Sequence, residues 1–321
     1  MSDTTLELRL TGAPAAFLEP ARAPSLTEAR AWCKALAESH YENFHVATWF
    51  LPPSLRPHFH AIYAYCRVAD DLSDEVGDPL LALRLLKEWE QMLDEVYHAP
   101  ERVRHPVFVA LADTIAACEI PQRPFSHLLV SFRRDQSYLS YNSLEELVAY
   151  SDSSANPVGH LVLYASGYRE ERLFVLSDKI CTALQLANMW QDVGNDLAER
   201  GRIYLPADEM ERFGVTRDQL AARKFTPAYR ELLRYLVGRT RSMLAEGAAI
   251  EDRVDADLAI TLRLFRRGGE SILDAIEAAD FDTLSQRPYV SKAAKARLLL
   301  GALASKLRVP LTGNRKKGSA L

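Results

Sequence analysis

The chain has 321 residues, with 39 Lys and Arg against 43 Asp and Glu, a formal net charge of −4. Apolar residues make up 48% and charged residues 26%, which excludes intrinsic disorder as the main state and leaves ample material for a core. The slight acidity argues against a general nucleic-acid binder, and 14 glycines and 16 prolines are too few for a collagenous or low-complexity chain.

Residues 1–24, with Gly12, Pro14, Pro20 and Pro24, read as a mobile lead-in. The first residues lack the basic and apolar regions of a signal peptide, so none is expected. Ser25 and Glu28 have the spacing of a capping box, which opens a helix running to about His40. Pro52, Pro53 and Pro57 interrupt the chain, and Pro57 suits the first turn of a second helix that ends near Gly77 and Pro79. Over 80–97 the apolar residues Leu83, Leu86, Trp89, Leu93 and Val96 recur with helical period. Further helices are predicted over 106–118, 124–138, 144–164 and 171–199. Residues 200–215, with Gly201, Pro206 and Gly214, read as a loop. Helices then resume over 226–250, 255–280 and 291–306, before a basic tail over 309–321. The tail is either a solvated end or a contact with a membrane surface.

No segment alternates with period 2, and no glycine-rich nucleotide motif or nucleophile elbow is present. The predicted class is therefore all-α, with one domain over 25–308. Cys33, Cys66, Cys118 and Cys181 form no C-x-x-C and read as reduced thiols of a cytoplasmic protein. No apolar run approaches 18 residues, so no membrane-spanning helix is expected.

Two segments carry the chemistry. Tyr63, Arg67, Asp70 and Asp74 are spaced 4, 3, 4 and share one helix face. Gln185, Asn188, Asp192 and Asp196, spaced 3, 4, 4, share another, with apolar neighbours on both flanks. Carboxylates at i and i+4, about 5 Å apart, repel by roughly 3 kcal/mol at an effective dielectric near 20. Each pair is either a solvated stripe or the seat of a cation. The repetition of the pattern favours the cation, and oxygen donors without His or Cys point to a hard one. Magnesium shared with a diphosphate suits one or two carboxylates per ion. Arg67 has two readings, as a holder of phosphate oxygens or as an intrahelical partner of Asp70 or Asp71.

On these residues the chain resembles the squalene and phytoene synthase family of head-to-head prenyl diphosphate synthases. Its first aspartate-rich motif matches Asp70, Asp71 and Asp74 after Tyr63 and Arg67. Its second matches Gln185, Asn188, Asp192 and Asp196, followed by "GRIYLP" at 201–206. The resemblance runs from about His40 to the 291–300 helix. It implies an isoprenoid-synthase fold, with the two motifs facing each other across a central apolar cavity. It also implies magnesium at Asp70, Asp74, Asn188, Asp192 and Asp196. Tyr63, Arg67 and Tyr150 are implied at the catalytic centre, with Gln185, Gln191, Gly159 and Tyr204 at the substrate. Asn156-Pro157, beside Gly159, is equally well explained as a turn. Phe44, Trp49, Phe50, Tyr63, Tyr150 and Trp190 are candidates to line the cavity, or plain core.

The departures point to a branch. Where the family usually shows Ser-x-Ser-Phe, this chain has Tyr41-Glu42-Asn43-Phe44 after His40, and Gln191 stands where arginine often precedes the first aspartate of the second motif. "ENFHVA", "SANPVG" and "NMWQDV" are similar to the bacterial hydroxysqualene synthase branch, HpnC. That resemblance implies ionisation of presqualene diphosphate and capture of the cation by water, without NADPH. A same-family alternative is condensation of two farnesyl diphosphates, and an alternative outside the class is a non-catalytic helical binding protein. His40, Tyr41 and Phe44 are then expected at the substrate, and Asn43 to hold the attacking water through its amide. A prenyl diphosphate is the expected partner, with no nucleic acid, a cytoplasmic location, peripheral membrane contact and other enzymes of the hopanoid route.

Overall fold

The computed structural model describes residues 13–20, 22–39, 49–138 and 140–308. His40, Tyr41, Asn43 and Phe44 lie outside the described residues, as does the 309–321 tail. The helices are α1 (Leu26–Ser39), α2 (Arg56–Asp74), α3 (Pro79–His98), α4 (Pro106–Cys118), α5 (Arg123–Arg134), α6 (Leu144–Ser154) and α7 (Asn156–Ala165). They continue with α8 (Glu171–Gln191), α9 (Val193–Arg200), α10 (Ala207–Phe213), α11 (Arg217–Ala221), α12 (Pro227–Gly247), α13 (Ala256–Ala278) and α14 (Lys292–Arg308). Among the described residues there is no strand beyond one isolated bridge, Ser140 to Ile203. The all-α expectation is met.

Caps explain most boundaries. The Ser25 amide donates to Glu28 Oε2 at 2.7 Å, and the Glu28 amide donates to Ser25 Oγ at 3.3 Å, the reciprocal pair expected of a capping box. Pro57 sits in the first turn of α2. Three expectations are corrected. The segment read as a loop over 200–215 contains α10, and α11 follows directly after it. Gly214 ends the first with φ +72°, and Thr216 with Gln219 caps the second. The helix expected over 144–164 breaks at Ala155, because Pro157 cannot continue the hydrogen-bond ladder. The helix expected over 171–199 breaks at Asp192.

The chain divides into two compact units. The first comprises 1–42, 53–138 and 164–167. Here α1 packs on α2 and α4, while α3 packs on α2, α4 and α5. Aromatic rings fill its centre. Trp89 lies 4.4 Å from Phe108 and 5.8 Å from Tyr65, and Tyr65 lies 5.1 Å from Phe125, between ring centroids. Within the expected lead-in, Ala15–Phe17 forms a 3-10 turn whose Phe17 ring is buried 6.1 Å from Trp89. Residues 13–20 are thus anchored where their composition suggested mobility.

The second unit comprises 43–52, 139–163 and 168–321. Its axis is α8, which packs on α6, α12 and α13. Trp190 is fully buried and its indole N–H donates to Thr240 of α12 at 2.8 Å. The last helix, α14, packs on α13. Ala302 of α14 is buried with Phe50 and Ile260, and Leu264 and Leu299 pack against them.

Candidate functional site

The first acidic face is held from behind. Tyr65, two residues after Tyr63 and so on the other side of α2, donates its hydroxyl to the Phe125 carbonyl at 3.1 Å. Tyr63 is itself buried at 7% exposure. The Arg67 guanidinium pairs with Asp71 at 2.6 Å, Glu75 at 3.1 Å and Asp70 at 3.4 Å. Of its two readings, the intrahelical pairing is the one observed here. The Asp71 side chain is 10% exposed and that of Asp70 is 47% exposed, so Asp70 is the carboxylate the helix offers outward. Asp74 is the last residue of α2. Its neighbour Ser73 donates to Asp74 Oδ1 at 3.4 Å, while Gln136 Nε2 donates to the Ser73 carbonyl and hydroxyl at 3.0 and 2.9 Å. Sequence patterning missed Gln136, because it follows the end of α5 and belongs to no periodic stripe.

The second acidic face differs from the straight helix expected. At Asp192 the backbone turns to φ −104°, ψ 9°. Residues 283–288 lie across this break. The Gly194 amide donates to the Thr283 carbonyl at 3.2 Å, and a Cβ at Gly194 would stand 2.8 Å from the Leu284 carbonyl oxygen. Only glycine admits so close a strand of backbone. Beyond the break the Asp196 amide donates to the Asp192 carbonyl at 2.9 Å, so the two residues remain one helical turn apart.

Gln191 is 4% exposed, and its amide donates to the Pro288 carbonyl at 2.6 Å. Arg287 donates to Gln191 Oε1 at 3.0 Å and grips both carboxylate oxygens of Asp192 in a fork. The kink turns the Gln191 side chain onto the 283–288 segment, where it orients Arg287. A cation therefore does stand beside Asp192, supplied from 95 residues downstream. No local pattern marks Arg287, since it lies outside any helix.

Asp196 is 14% exposed at its side chain, with Arg200 at 3.5 Å. Burial raises its pKa to about 6. The neighbouring charge of Asp192 acts in the same direction, and Arg200 and Arg202 oppose it. Asn188 is exposed and Gln185 half-buried on the preceding turns of α8.

Tyr150 of α6 is buried, with its ring 5.4 Å from Tyr141, and Tyr141 stacks on Tyr204 at 5.8 Å. These three rings form one cluster, of which Tyr141 was missed. Phe50 and Trp190, candidates to line a cavity, are core residues within the second unit. Gly159 is explained by packing. A Cβ there would stand 2.2 Å from Ser177 Oγ and 2.7 Å from Cys181 Sγ of α8. Asn156 and Pro157 open α7, one residue after the break at Ala155, and the Asn156 side chain accepts from Thr182 and donates to Asp152, both at 3.0 Å. Gly159→Ala should lower stability by about 1–3 kcal/mol, because two side chains must move for one methyl group. Unchanged thermal melting would show that α7 and α8 separate without cost.

A family model described as squalene/phytoene synthase matches residues 37–294. The chain belongs to the squalene/phytoene synthase family. It is 32% identical over 277 residues to a phytoene synthase of Arthrospira platensis, covering 80% of this chain and 87% of that one. It is 30% identical to the chloroplastic phytoene synthase 2 of Solanum lycopersicum, covering 89% and 93%. Among solved structures, the squalene synthase HpnC of Alicyclobacillus acidocaldarius is 39% identical, with a TM-score of 0.75 over 85% of this chain and 98% of that one. A dehydrosqualene synthase at 24% identity and a TM-score of 0.77 shares the fold.

Squalene/phytoene synthase membership makes a divalent cation the natural test of both faces. Among the described residues no three His, Cys, Asp or Glu side chains are grouped so that they alone could hold a metal ion. The donors are carboxylate oxygens, and the Asp192 charge helps push the Asp196 pKa upward. Such a site fits a hard cation that takes its remaining ligands from phosphate and water.

Proposed function

We propose that this chain ionises presqualene diphosphate and captures the resulting carbocation with water, giving hydroxysqualene and diphosphate. The observation that carries this reading is the 39% identity to the HpnC squalene synthase over 85% of the chain. Gln191 in place of the arginine frequent in relatives is consistent with it. Magnesium, held by Asp70 and Asp74 and by Asn188, Asp192 and Asp196, would neutralise charge on the leaving diphosphate.

The chain's own groups do the rest. Arg67, paired with Asp70, Asp71 and Glu75, and Arg287, paired with Asp192, would turn to the phosphate oxygens once magnesium takes over those carboxylates. The C–O bond breaks with its electron pair leaving on diphosphate. The cyclopropylcarbinyl cation rearranges, water adds, and one proton departs. The rings of Tyr63 and of the Tyr141, Tyr150 and Tyr204 cluster offer π faces to positive charge. Asn43, which lies outside the described residues, is the residue to which we assign the attacking water. No hydride enters, so no NADPH is needed.

Full-length protein incubated with presqualene diphosphate and magnesium in ¹⁸O-labelled water should give an alcohol carrying the label. Tyr41→Ser with Asn43→Ser should lower its yield or shift the position of the label. An unlabelled product, or turnover only with NADPH, overturns the proposal. The phytoene synthases among its relatives favour one second reading, condensation of two prenyl diphosphates. Product formed from farnesyl diphosphate alone would establish it.

A further inference from the structure

The outward face of α14 is apolar. At 100° per residue, Ala293, Ala296, Leu300, Leu303 and Leu307 fall within an arc of about 80°. The three leucines are 65%, 52% and 88% exposed. The opposite side of the same helix is satisfied, with Ala302 buried beside Phe50 and Ile260. A soluble surface helix normally turns its charged side to water. Here both sides are apolar, and among the described residues nothing covers the outer one.

Charge and aromatic placement point to the occupant. Residues 291–321 carry eight Lys or Arg and no Asp or Glu, in a chain whose net charge is −4. Lys292 and Arg297 border the apolar arc at about 0° and 140° on the same wheel. Tyr289, 72% exposed, precedes the helix. Trp49, 57% exposed, lies next to Phe50, whose carbonyl accepts from Lys306 near the other end at 3.0 Å. An apolar stripe, cationic margins and an amphipathic ring at each end are the features of a helix lying in the headgroup layer.

We propose that α14 docks the enzyme on an anionic lipid bilayer, with Leu300, Leu303 and Leu307 entering the acyl boundary and the exposed cations Lys292, Lys295 and Arg297 meeting lipid phosphate. A second copy is the less favourable occupant, because a two-fold contact through this face would bring two acid-free cationic segments together. No helix among the described residues is long and apolar enough to cross a membrane, so the mode is attachment at the surface. This inference is independent of which prenyl diphosphate is the substrate.

Full-length protein should co-sediment with vesicles of mixed phosphatidylcholine and phosphatidylglycerol at least about tenfold more strongly than with phosphatidylcholine alone, and raised salt should release it. Leu303→Asp with Leu307→Asp should weaken that binding at least about tenfold, with thermal melting and diphosphate release in solution unchanged. Lys292→Gln, Lys295→Gln and Arg297→Gln together should weaken it on mixed vesicles only. Wild-type binding in the leucine variant, or no preference for the anionic vesicles, overturns the proposal. A dimer in analytical ultracentrifugation that the leucine variant dissociates, without vesicle binding, would assign the face to a second copy instead.

Discussion

Asp70→Asn and Asp192→Asn should each lower turnover of the prenyl diphosphate at least about 10²-fold, a loss of roughly 3 kcal/mol in transition-state stabilisation. An amide keeps the shape of the carboxylate and one acceptor oxygen but loses the charge that a hard cation requires. Neither change should unfold the protein. In Asp70→Asn, Arg67 retains Asp71 at 2.6 Å and Glu75 at 3.1 Å, and Asp70 is already 47% exposed. Stability should therefore move by no more than about 0.5 kcal/mol. In Asp192→Asn, Arg287 keeps its bond to Gln191 at 3.0 Å, while its fork becomes a neutral pairing. A loss of about 1–2 kcal/mol is expected there, because a partly buried charge loses its partner. Steady-state diphosphate release, read beside thermal melting, separates the two effects. Near-normal turnover in the double variant would remove both carboxylates from the reaction.

Asp196→Asn should make the metal-free protein more stable at pH 7 to 8, by roughly 1–3 kcal/mol, while also lowering turnover. The sign follows from the pKa, which is raised from 3.8 to about 6 in the folded chain. The folded state then holds this proton more tightly than the unfolded state. Below about pH 4 the carboxyl is protonated in both states and costs nothing. Between about pH 4 and 6 the unfolded chain releases this proton while burial and Asp192 keep it on the folded chain, so stability falls, and the fall levels off once the folded carboxyl ionises above about pH 6. A shift of about two units is worth roughly 3 kcal/mol at most, and Arg200 at 3.5 Å returns part of it. The stabilisation by Asn should therefore grow between pH 4 and 7 and vanish below pH 4. Denaturant titrations of both proteins across this range read it directly. A pH-independent difference would mean that Asp196 titrates as an ordinary surface aspartate.

The first acidic face was legible in the sequence because its residues lie on one uninterrupted helix. Tyr63, Arg67, Asp70 and Asp74 all fall within Arg56–Asp74, so spacing alone put them together. The second was legible only in part. Asp192 and Asp196 stay one turn apart, yet the helix assumed to join them to Gln191 is broken. Gln191 shows the consequence, since a side chain expected at the substrate is spent on Pro288 and Arg287. Gly159 shows another, because a missing Cβ carries no mark of whether a ligand or a neighbouring helix fills its place.

Local information was enough for the all-α class, the caps at Ser25 and Pro57, the apolar stripes and the two aspartate pairs, because each depends on residues within about one or two helical turns. The family too is carried by short motifs. Long-range packing decided the rest. Arg287 reaches Asp192 across 95 residues, and Tyr141 joins Tyr204 to Tyr150. The backbone of 283–284 breaks a helix whose own sequence contains only Gly194 as a permissive position. The outward leucines of α14 were visible as helical in the sequence, but which side faces out is set by Phe50 and Ile260 taking the other. Helical periodicity records that a face is apolar; only the packed chain records what covers it.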